Sequence, residues 1–520
     1  MPDRNTLGSL GRIAVVDVGS NSLRLVVFER LGATLVPLLN EKVMCALGRG
    51  IAATGRLNRE GVELAYANLQ RFVALGRALG VDHLAIIATA AVRDASDGQA
   101  FAAEAERRCG VPVRIIGGGE EARLSAAGVL AGIRGADGVV ADLGGGSVEV
   151  VRVAAGVGEP HIGAAVSLPL GPLRLAEFGD NRKAMLDAIE HAIAGAPVLR
   201  EARGRSLYLV GGAWRAIARL HMEQTHYPLH IIHEYRIARR PAESFLDIIA
   251  GQSRRSLERV TAISRRRLES VPVAALILRR LIAAGRPDNI VFSAFGLREG
   301  YAYGLLSATT ADDPLIEACI GIAASQSRWH HRLPYASGDA RVQSGDGDRL
   351  QHWIAPVFPG LSGARRRLHR AACWLSDIAW AEHPDYRVAH AFARSLTMPV
   401  AQLDHEERVF IAAALHARYG GSADDQAKAL TRTLLDDSAA AEARSLGLAL
   451  RLAYTLSGGA FELLDQVQLS REPNGIALEL PPTGSLFTGE AVQRRLEALG
   501  RALGLSARTL RRRAPSPALA

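Results

Sequence analysis

Two segments of the chain repeat one pattern of apolar and polar positions. Residues 12–18 form an apolar run that carries Asp17 near its end, and a short Gly/Ser turn and a second apolar run follow it. Residues 138–142 repeat this run and end in Asp142, again followed by a glycine turn and an apolar run. Short apolar runs bounded by turns are typical of buried strands. The two copies, which begin about 125 residues apart, therefore predict an internal duplication of a strand–turn–strand unit.

The remaining periodicity predicts alternating helices and strands up to about residue 310. Helices are predicted over 58–80 and 120–132, and strands over 84–88, 113–116, 206–210 and 289–293. Beyond that point most segments have a helical period and few have strand signals. The pattern thus predicts an α/β region followed by a helical region. Residues 336–349, rich in Gly, Asp and Ser, are predicted as a linker, and residues 514–520 as a disordered end.

Composition adds a strong arginine bias. The 520 residues carry a formal net charge of +9, from 62 basic and 53 acidic residues, and include three lysines, Lys42, Lys183 and Lys428. A guanidinium group can donate two parallel hydrogen bonds to one phosphate, so an arginine-rich surface suits a polyanionic ligand. The other interpretation of the arginine content is a coding bias toward Arg and Ala in a GC-rich genome. The charge is compatible with nucleic acid, polyphosphate or a nucleotide.

The first residues, the length of the apolar runs and the cysteine spacing indicate the cellular compartment. Residues 1–12 have no apolar leader segment, and no run reaches the 18 or so apolar residues of a membrane span. The four cysteines, Cys45, Cys109, Cys319 and Cys373, form no C-x-x-C pair. We therefore expect a cytoplasmic protein with reduced thiols, no zinc site and no membrane partner.

The two turns carry residue types that bind phosphate and metal. Asp17 precedes Gly19-Ser20-Asn21-Ser22, and Asp142 precedes Gly144-Gly145-Gly146-Ser147, with Glu149 two residues later. Glycine lets backbone N–H groups approach an anion, and strand-end carboxylates can hold magnesium. A glycine turn after a strand is ordinarily only a hairpin. The presence of Asp in both copies favours two facing phosphate-binding turns.

Five ordered motifs resemble the exopolyphosphatase/guanosine pentaphosphate phosphatase family. They are DVGSNSLRLVVFE, ATAAVRDASDG, GGGEEARLSAAG, DLGGGSVEVV and LVGGAWRAIARL, and the resemblance covers about residues 12–305. It implies an α/β fold with duplicated ribonuclease H-like lobes of the actin/Hsp70/sugar kinase superfamily. The implied boundaries are lobe I at 1–133, lobe II at 134–310 and an all-α C-terminal region at 311–520. The chain departs from the family near Arg265–Glu269.

The resemblance also implies roles for matching residues. Glu121 matches the general base for water, with Glu120 ranked second, and Arg93 matches a phosphate-contacting arginine. The other interpretation of Arg93 is a salt bridge with Asp94 or Asp97, and that of Glu121 is an exposed helix pair with Arg123 or its neighbours. Further implied phosphate-binding residues are Ser20, Asn21, Ser22, Gly144, Gly145, Gly146, Ser147, Gly211 and Gly212. The implied metal ligands are Asp17, Asp142 and Glu149.

The implied activity is Mg²⁺-dependent hydrolysis of terminal phosphates from inorganic polyphosphate, with a Glu-activated water and no covalent phosphoenzyme. Three alternatives stay open: a guanosine pentaphosphate 5′-phosphohydrolase, a nucleotide-binding kinase or chaperone of the same superfamily, and a non-catalytic polyphosphate sensor. The family resemblance leads us to expect a homodimer and no nucleic-acid partner.

The C-terminal part is similar to the extra domain of long exopolyphosphatases, which is related to HD-type metal phosphohydrolases. The match lies at 371–421, where the His-Asp doublet reads Ser376-Asp377. Four histidines nearby lack a clear ligand pattern: His383, His390, His405 and His416. We therefore predict a catalytically inactive region that lengthens the substrate channel or forms a dimer contact.

Overall fold

The computed structural model describes residues 11–32, 34–156, 160–179, 181–252, 270–306, 313–328, 346–421, 425–482 and 487–512. The departure at Arg265–Glu269 and the predicted disordered end lie outside these residues. So does most of the predicted linker, although residues 346–349 open a helix instead. The chain divides into two units, Met1–Ala311 with Ala401–Asp404, and Asp312–Val400 with His405–Ala520.

The first unit begins with a five-stranded sheet in the order β3-β2-β1-β4-β5. Its strands are β1 (Arg12–Val18), β2 (Ser22–Leu31), β3 (Thr34–Met44), β4 (His83–Ala88) and β5 (Val113–Ile115). β1 and β2 form the predicted antiparallel hairpin, and β4 lies parallel to β1 on its other side. The apolar run of β1 is buried on both faces, as expected for a central strand.

A six-stranded sheet with the order β10-β11-β9-β6-β7-β8 follows. Its strands are β6 (Asp137–Leu143), β7 (Val148–Ala154), β8 (His161–Leu168), β9 (Ser206–Val210), β10 (Tyr235–Ala238) and β11 (Asn289–Phe292). Read from β8, it repeats the order and directions of the first sheet, with β10 added at the far edge. This repeat confirms the predicted duplication of ribonuclease H-like lobes.

Helices cover these sheets. They are α1 (Ile51–Thr54), α2 (Arg59–Ala78), α3 (Ala90–Asp94), α4 (Gly98–Cys109), α5 (Gly118–Gly132), α6 (Pro172–Leu175), α7 (Arg182–Ala194), α8 (Gly212–Gln224), α9 (Arg239–Ala250), α10 (Val271–Gly285) and α11 (Leu297–Leu305). α3, α5 and α8 each begin directly beyond the carboxyl end of a strand. The carboxyl ends of parallel strands lie at one edge of a sheet, so the connections into α3 and α5 lie together on the first sheet, and the connection into α8 lies at the corresponding edge of the second.

The second unit is mainly helical. Its helices are α12 (Pro314–Gln326), α13 (Asp346–Ile354), α14 (Gly363–Leu375), α15 (Arg387–Thr397), α16 (His405–Tyr419), α17 (Asp425–Leu434), α18 (Asp437–Ser457) and α19 (Glu490–Leu503). It also contains a sheet of β12 (Gln468–Glu472), β13 (Gly475–Leu480) and β14 (Ser506–Arg511). The prediction of a purely helical region is corrected in this respect. β12 and β14 are edge strands that consist mostly of polar and charged residues, so neither has a buried apolar run.

Two expectations about the whole chain can be checked on the described residues. All four cysteines are free and buried, in agreement with reduced thiols. Among the described helices, none combines the length and the apolar composition that a bilayer crossing requires.

Candidate active site

The two predicted turns close in the same way. Gly19 N–H donates to Ser22 O at 3.1 Å, and Gly144 N–H donates to Ser147 O at 3.0 Å. In both copies the closing glycine is two residues after the strand-end aspartate and the acceptor is five residues after it. Within the described residues, the N–H groups of Gly145 and Gly146 donate to no acceptor. The second turn therefore keeps backbone donors available for an anion.

The turns from the two sheets meet directly. A Cβ on Gly145 would lie 2.9 Å from Ser20 Cβ, and one on Gly146 would lie 3.7 Å from Ser20 Oγ. Ser20 and Gly146 line a common cavity of about 480 Å³, together with Asp94 and Arg174. The absence of a side chain at Gly145 is what allows this approach, because contacts under 3.0 Å would force a shift.

Three carboxylates gather beside the turns. Glu121 lies in the first turns of α5, and Asp142 and Glu149 face each other on paired strands β6 and β7. Burial raises the pKa of Glu121 well above its ordinary value, and the negative charges of Glu149 and Asp142 raise it further. Burial also raises the pKa of Glu149 to about 7. This cluster is therefore a place where a carboxyl can hold a proton near neutral pH.

Arg93 is the cation that counters this cluster. Its Nη1 donates to Glu121 Oε2 and to Ile116 O, each at 3.2 Å, and its Nε donates to Asp94 Oδ1 at 3.2 Å. Arg93 lowers the pKa of Glu121 against the effect of burial. The guanidinium thus combines the pairing with Glu121 and the salt bridge with Asp94. The exposed pairing of Glu121 with Arg123 is not found, because Glu121 is 8% exposed.

Asp17, the aspartate of the first copy, lies near enough to Asp142 for their charges to interact. Arg298 Nη1, from α11, donates to Asp17 Oδ2 at 2.7 Å. The pKa of Asp142 is raised mainly by burial, the Asp17 charge raises it further, and Arg215 and Arg298 lower it. The two strand-end aspartates are therefore close enough to repel each other, and arginines surround them.

Several residues of this site are absent from the predicted set. Arg215, on α8, has its pKa lowered to about 10 by burial and by the charges of Arg298 and Arg24. Ser125 donates to Asp142 Oδ2, and Ser167 donates to Glu149 Oε1 at 2.9 Å. Arg24, Ser125 and Arg215 stand inside the quoted motifs, so the signal was present in the sequence. Ser167 lies on β8, outside every motif.

Other predicted residues lie away from the carboxylates or have a packing role. Glu120 forms an ion pair with Arg114 on β5. Gly211 has φ 118°, and a Cβ there would lie 2.5 Å from Leu143 O, so this position packs β9 tightly on β6. Gly212 begins α8, and the side chains of Asn21 and Ser22 show no hydrogen bond among the described residues.

No group of three or more His, Cys, Asp or Glu side chains in the described residues is placed to hold a metal ion. A site made of protein carboxylates alone is therefore not formed by Asp17, Asp142 and Glu149. The buried oxygens Glu149 Oε2 and Ser147 Oγ nevertheless lack hydrogen-bond partners within the described chain. Ser147 is close enough to lower the pKa of Glu149 without bonding to it in good geometry.

Comparison with known proteins agrees with this geometry. The model of the Ppx/GppA phosphatase family matches residues 25–309, and a model described as the C-terminal part of exopolyphosphatase matches residues 360–510. Exopolyphosphatase 2 of Mycobacterium tuberculosis is 26% identical over 328 residues, which span 57% of this chain and 99% of the relative. Exopolyphosphatase 1 of Mycobacterium bovis is 27% identical over 331 residues, which span 59% of this chain and 92% of the relative.

Solved structures give the same result. A crystal structure of an exopolyphosphatase-like protein has a TM-score of 0.51 and 25% identity, covering 57% of this chain and 97% of that chain. An exopolyphosphatase from Cytophaga hutchinsonii has a TM-score of 0.52 and 22% identity, covering 57% and 99%, and shares the fold. The duplicated sheets, the paired turns and a family model that spans more than half of the sequence show that the chain belongs to the Ppx/GppA phosphatase family, whose members are hydrolases of phosphoric anhydride bonds.

Proposed function

We propose that this protein is an exopolyphosphatase in which Glu121 accepts a proton from the attacking water. The proposal depends on the buried Glu121 carboxylate. Arg93 Nη1 donates to Glu121 Oε2 at 3.2 Å, and the two Gly/Ser turns nearby meet at one cavity. Burial and the charges of Glu149 and Asp142 raise the pKa of Glu121, and a carboxylate with a raised pKa is a stronger proton acceptor for general base catalysis.

The chemistry follows from these groups. The free N–H groups of Gly145 and Gly146 donate to oxygens of the terminal phosphate, and Arg93 supplies a fixed positive charge. Water attacks the terminal phosphorus and gives its proton to Glu121, while the bond to the bridging oxygen breaks. Orthophosphate and a polyphosphate chain shortened by one unit leave. No covalent bond to the protein forms.

Asp17, Asp142 and Glu149 are the residues proposed to hold Mg²⁺. Magnesium is commonly bound by one or two carboxylates together with substrate phosphates, so the donors in this site fit it without a protein-only cage. Glu149 Oε2, which has no hydrogen-bond partner within the described chain, is one oxygen available to bind the ion. When bound, Mg²⁺ neutralises charge on the phosphate oxygens.

The test is phosphate release from long-chain polyphosphate by the full chain, with and without Mg²⁺. We expect release that requires the divalent ion and falls steeply with added salt, because polyanion binding depends on many basic contacts. Absence of release at every metal and salt condition would contradict the proposal and favour the polyphosphate sensor.

One observation favours guanosine pentaphosphate as a second substrate. A mainly apolar cavity of about 680 Å³, lined in part by Leu175 and Phe178, shares Arg174 and Glu177 with the phosphate-side cavity. An apolar wall with an aromatic ring suits a nucleobase, which polyphosphate lacks. Release of phosphate from the nucleotide, lost on Phe178→Asp while polyphosphate hydrolysis persists, is the expected sign of this activity.

The second unit is proposed to be catalytically inactive. Asp377, at the position of the HD doublet, is fully buried and pairs with Arg328 at 2.8 Å and with Arg418 at 3.7 Å. Because both arginines pair with the Asp377 carboxylate, this carboxylate is not available to bind a metal ion. The homodimer and the cytoplasmic location remain predictions of the sequence, and sedimentation of the purified chain tests the first of them.

A further inference from the structure

Asp94 is shared between two arginines that come from different sheets. Its Oδ1 accepts from Arg93 Nε at 3.2 Å, and its Oδ2 accepts from Arg174 Nη2 at 3.0 Å. Arg93 and Asp94 lie on α3, which follows β4 of the first sheet, whereas Arg174 lies on α6, which follows β8 of the second. One carboxylate therefore joins the two sheets at the rim of the cavity that also holds Ser20 and Gly146.

Arg93 is in turn shared between two carboxylates. Its Nε bonds to Asp94 while its Nη1 bonds to Glu121. The guanidinium is a rigid planar fork, so the partner of Nε decides where Nη1 points. If Asp94 had no other cation, it would compete with Glu121 for the same guanidinium. Arg174 provides that other cation.

The helix that carries Arg174 is fixed to the second turn. Leu173 N–H donates to Gly145 O at 3.0 Å, and a Cβ on Gly171 would lie 2.2 Å from the same oxygen. Gly171 therefore allows α6 to lie directly against the turn. The position of Arg174 is therefore tied to that of Gly145 by this hydrogen bond and this close approach.

We propose that Arg174 is a positioning residue: by pairing with Asp94, it keeps Arg93 directed at Glu121. The effect runs along an unbroken series of ion pairs, Arg174–Asp94, Asp94–Arg93 and Arg93–Glu121, each between 3.0 and 3.2 Å. This inference rests on the proposed role of Glu121 in hydrolysis. It adds a residue of α6, the helix that follows β8, which sets the geometry of the proposed base on α5.

Steady-state kinetics of the full chain with long-chain polyphosphate test it. For Arg174→Gln we expect kcat to fall about tenfold with KM within about twofold, because a small misplacement of a catalytic group lowers the rate more than binding. Arg174→Lys keeps a cation near Asp94 and should restore most of kcat. Arg205→Gln is the matched control: Arg205 is 42% exposed, as is Arg174, and pairs with Asp137 at 3.1 Å away from the cavity.

A double-mutant cycle separates positioning from direct phosphate contact. In an Asp94→Asn background the competing charge is gone, so Arg174→Gln should add no further loss. A KM increase at unchanged kcat, or losses that multiply in the double variant, would show that Arg174 touches the substrate itself, and the inference would be wrong.

Hydrogen exchange of the α3 amides, measured without substrate, judges the ion-pair series independently of activity. Faster exchange in Arg174→Gln, but not in Arg205→Gln, is expected. If the wild type released no phosphate while this difference persisted, the proposed function would fail and the structural link would stand. Equal exchange in both variants would overturn the link.

Discussion

Arg298 Nη1 lies 2.7 Å from Asp17 Oδ2, so helix α11 is bound to the aspartate near the end of the first strand. The pair is mostly buried, with side-chain exposures of 11% and 21%. Arg298 also lowers the pKa of Asp142 on the other sheet. A single arginine therefore offsets both strand-end carboxylates.

Removing that arginine should destabilise the first unit. Arg298→Gln leaves Asp17 partly buried without its cation, and we expect a loss of about 3 kcal/mol in the free energy of unfolding. Urea dependence of hydrogen exchange at the β1 amides measures it. Arg12→Gln is the control, because Arg12 and Glu29 pair at a similar distance, 2.8 Å, but are each 39% exposed, and it should cost less than about 1 kcal/mol. Equal losses in the free energy of unfolding for the two variants would mean that burial of the Arg298–Asp17 pair does not contribute to stability.

Adjacent glutamates at the start of α5 should differ sharply in function. Glu121→Gln removes the proposed proton acceptor, and we expect phosphate release to fall at least about 100-fold. Glu120→Gln removes a partly exposed side chain paired with Arg114, and should leave release within about twofold of the wild type. The rate of phosphate release at saturating polyphosphate is the measurement. A larger loss for Glu120→Gln would reverse the assignment of the base.

Much of this arrangement follows from the sequence. The apolar runs at β1 and β6 predicted both strand-end aspartates, and the repeated turn composition predicted that two turns meet. β3 was missed because Pro37 and its mixed charges break the strand pattern, and β8 because Gly163 and the two alanines that follow it weaken the pattern. Both are edge strands, where burial on two faces is not required.

The site could be predicted by residue type but not by pairing. The E-E-A-R motif does not distinguish Glu120 from Glu121, because the choice depends on which side chain the rotation of α5 turns toward β7. The same holds for Ser167: its hydrogen bond to Glu149 depends on the register between β7 and β8, which pairs these two residues. Long-range ion pairs such as Arg298–Asp17 likewise follow from the packing of α11, not from local sequence.

Glu149 should make stability depend on pH. Burial raises its pKa to about 7, so the folded protein keeps a proton that the unfolded chain loses at the ordinary carboxyl value of about 4.3. Because the unfolded state binds fewer protons in this range, stability falls as pH rises from about 4.3 to about 7 and then levels off. Glutamine does not titrate, so Glu149→Gln should gain on the order of 3 kcal/mol relative to the wild type between pH 5 and pH 8.

Urea unfolding midpoints of both proteins at the two pH values check this expectation for Glu149. Glu490→Gln serves as the control, since that side chain is 91% exposed and its replacement should change stability equally at both pH values. A Glu149→Gln difference that does not vary with pH would show that Glu149 is ionised throughout the range.

Two neighbouring glycines at the start of α5 give a test of how firmly packing holds this helix, which carries the proposed base Glu121. A Cβ on Gly118 would lie 2.7 Å from Ser167 Cβ and 2.9 Å from its Oγ, whereas Gly119 has nothing within 4 Å. Gly118→Ala should therefore push Ser167 away from Glu149 and cost about 1–3 kcal/mol. Gly119→Ala should instead stabilise the helix by up to about 1 kcal/mol, because alanine is the better helix former. Thermal unfolding compares the two variants, and Ser167→Gly, which removes the clashing Cβ, should recover part of the Gly118→Ala loss. Equal effects of the two alanines would mean that α5 moves freely against β8, and a base on such a helix would not be held in place by it.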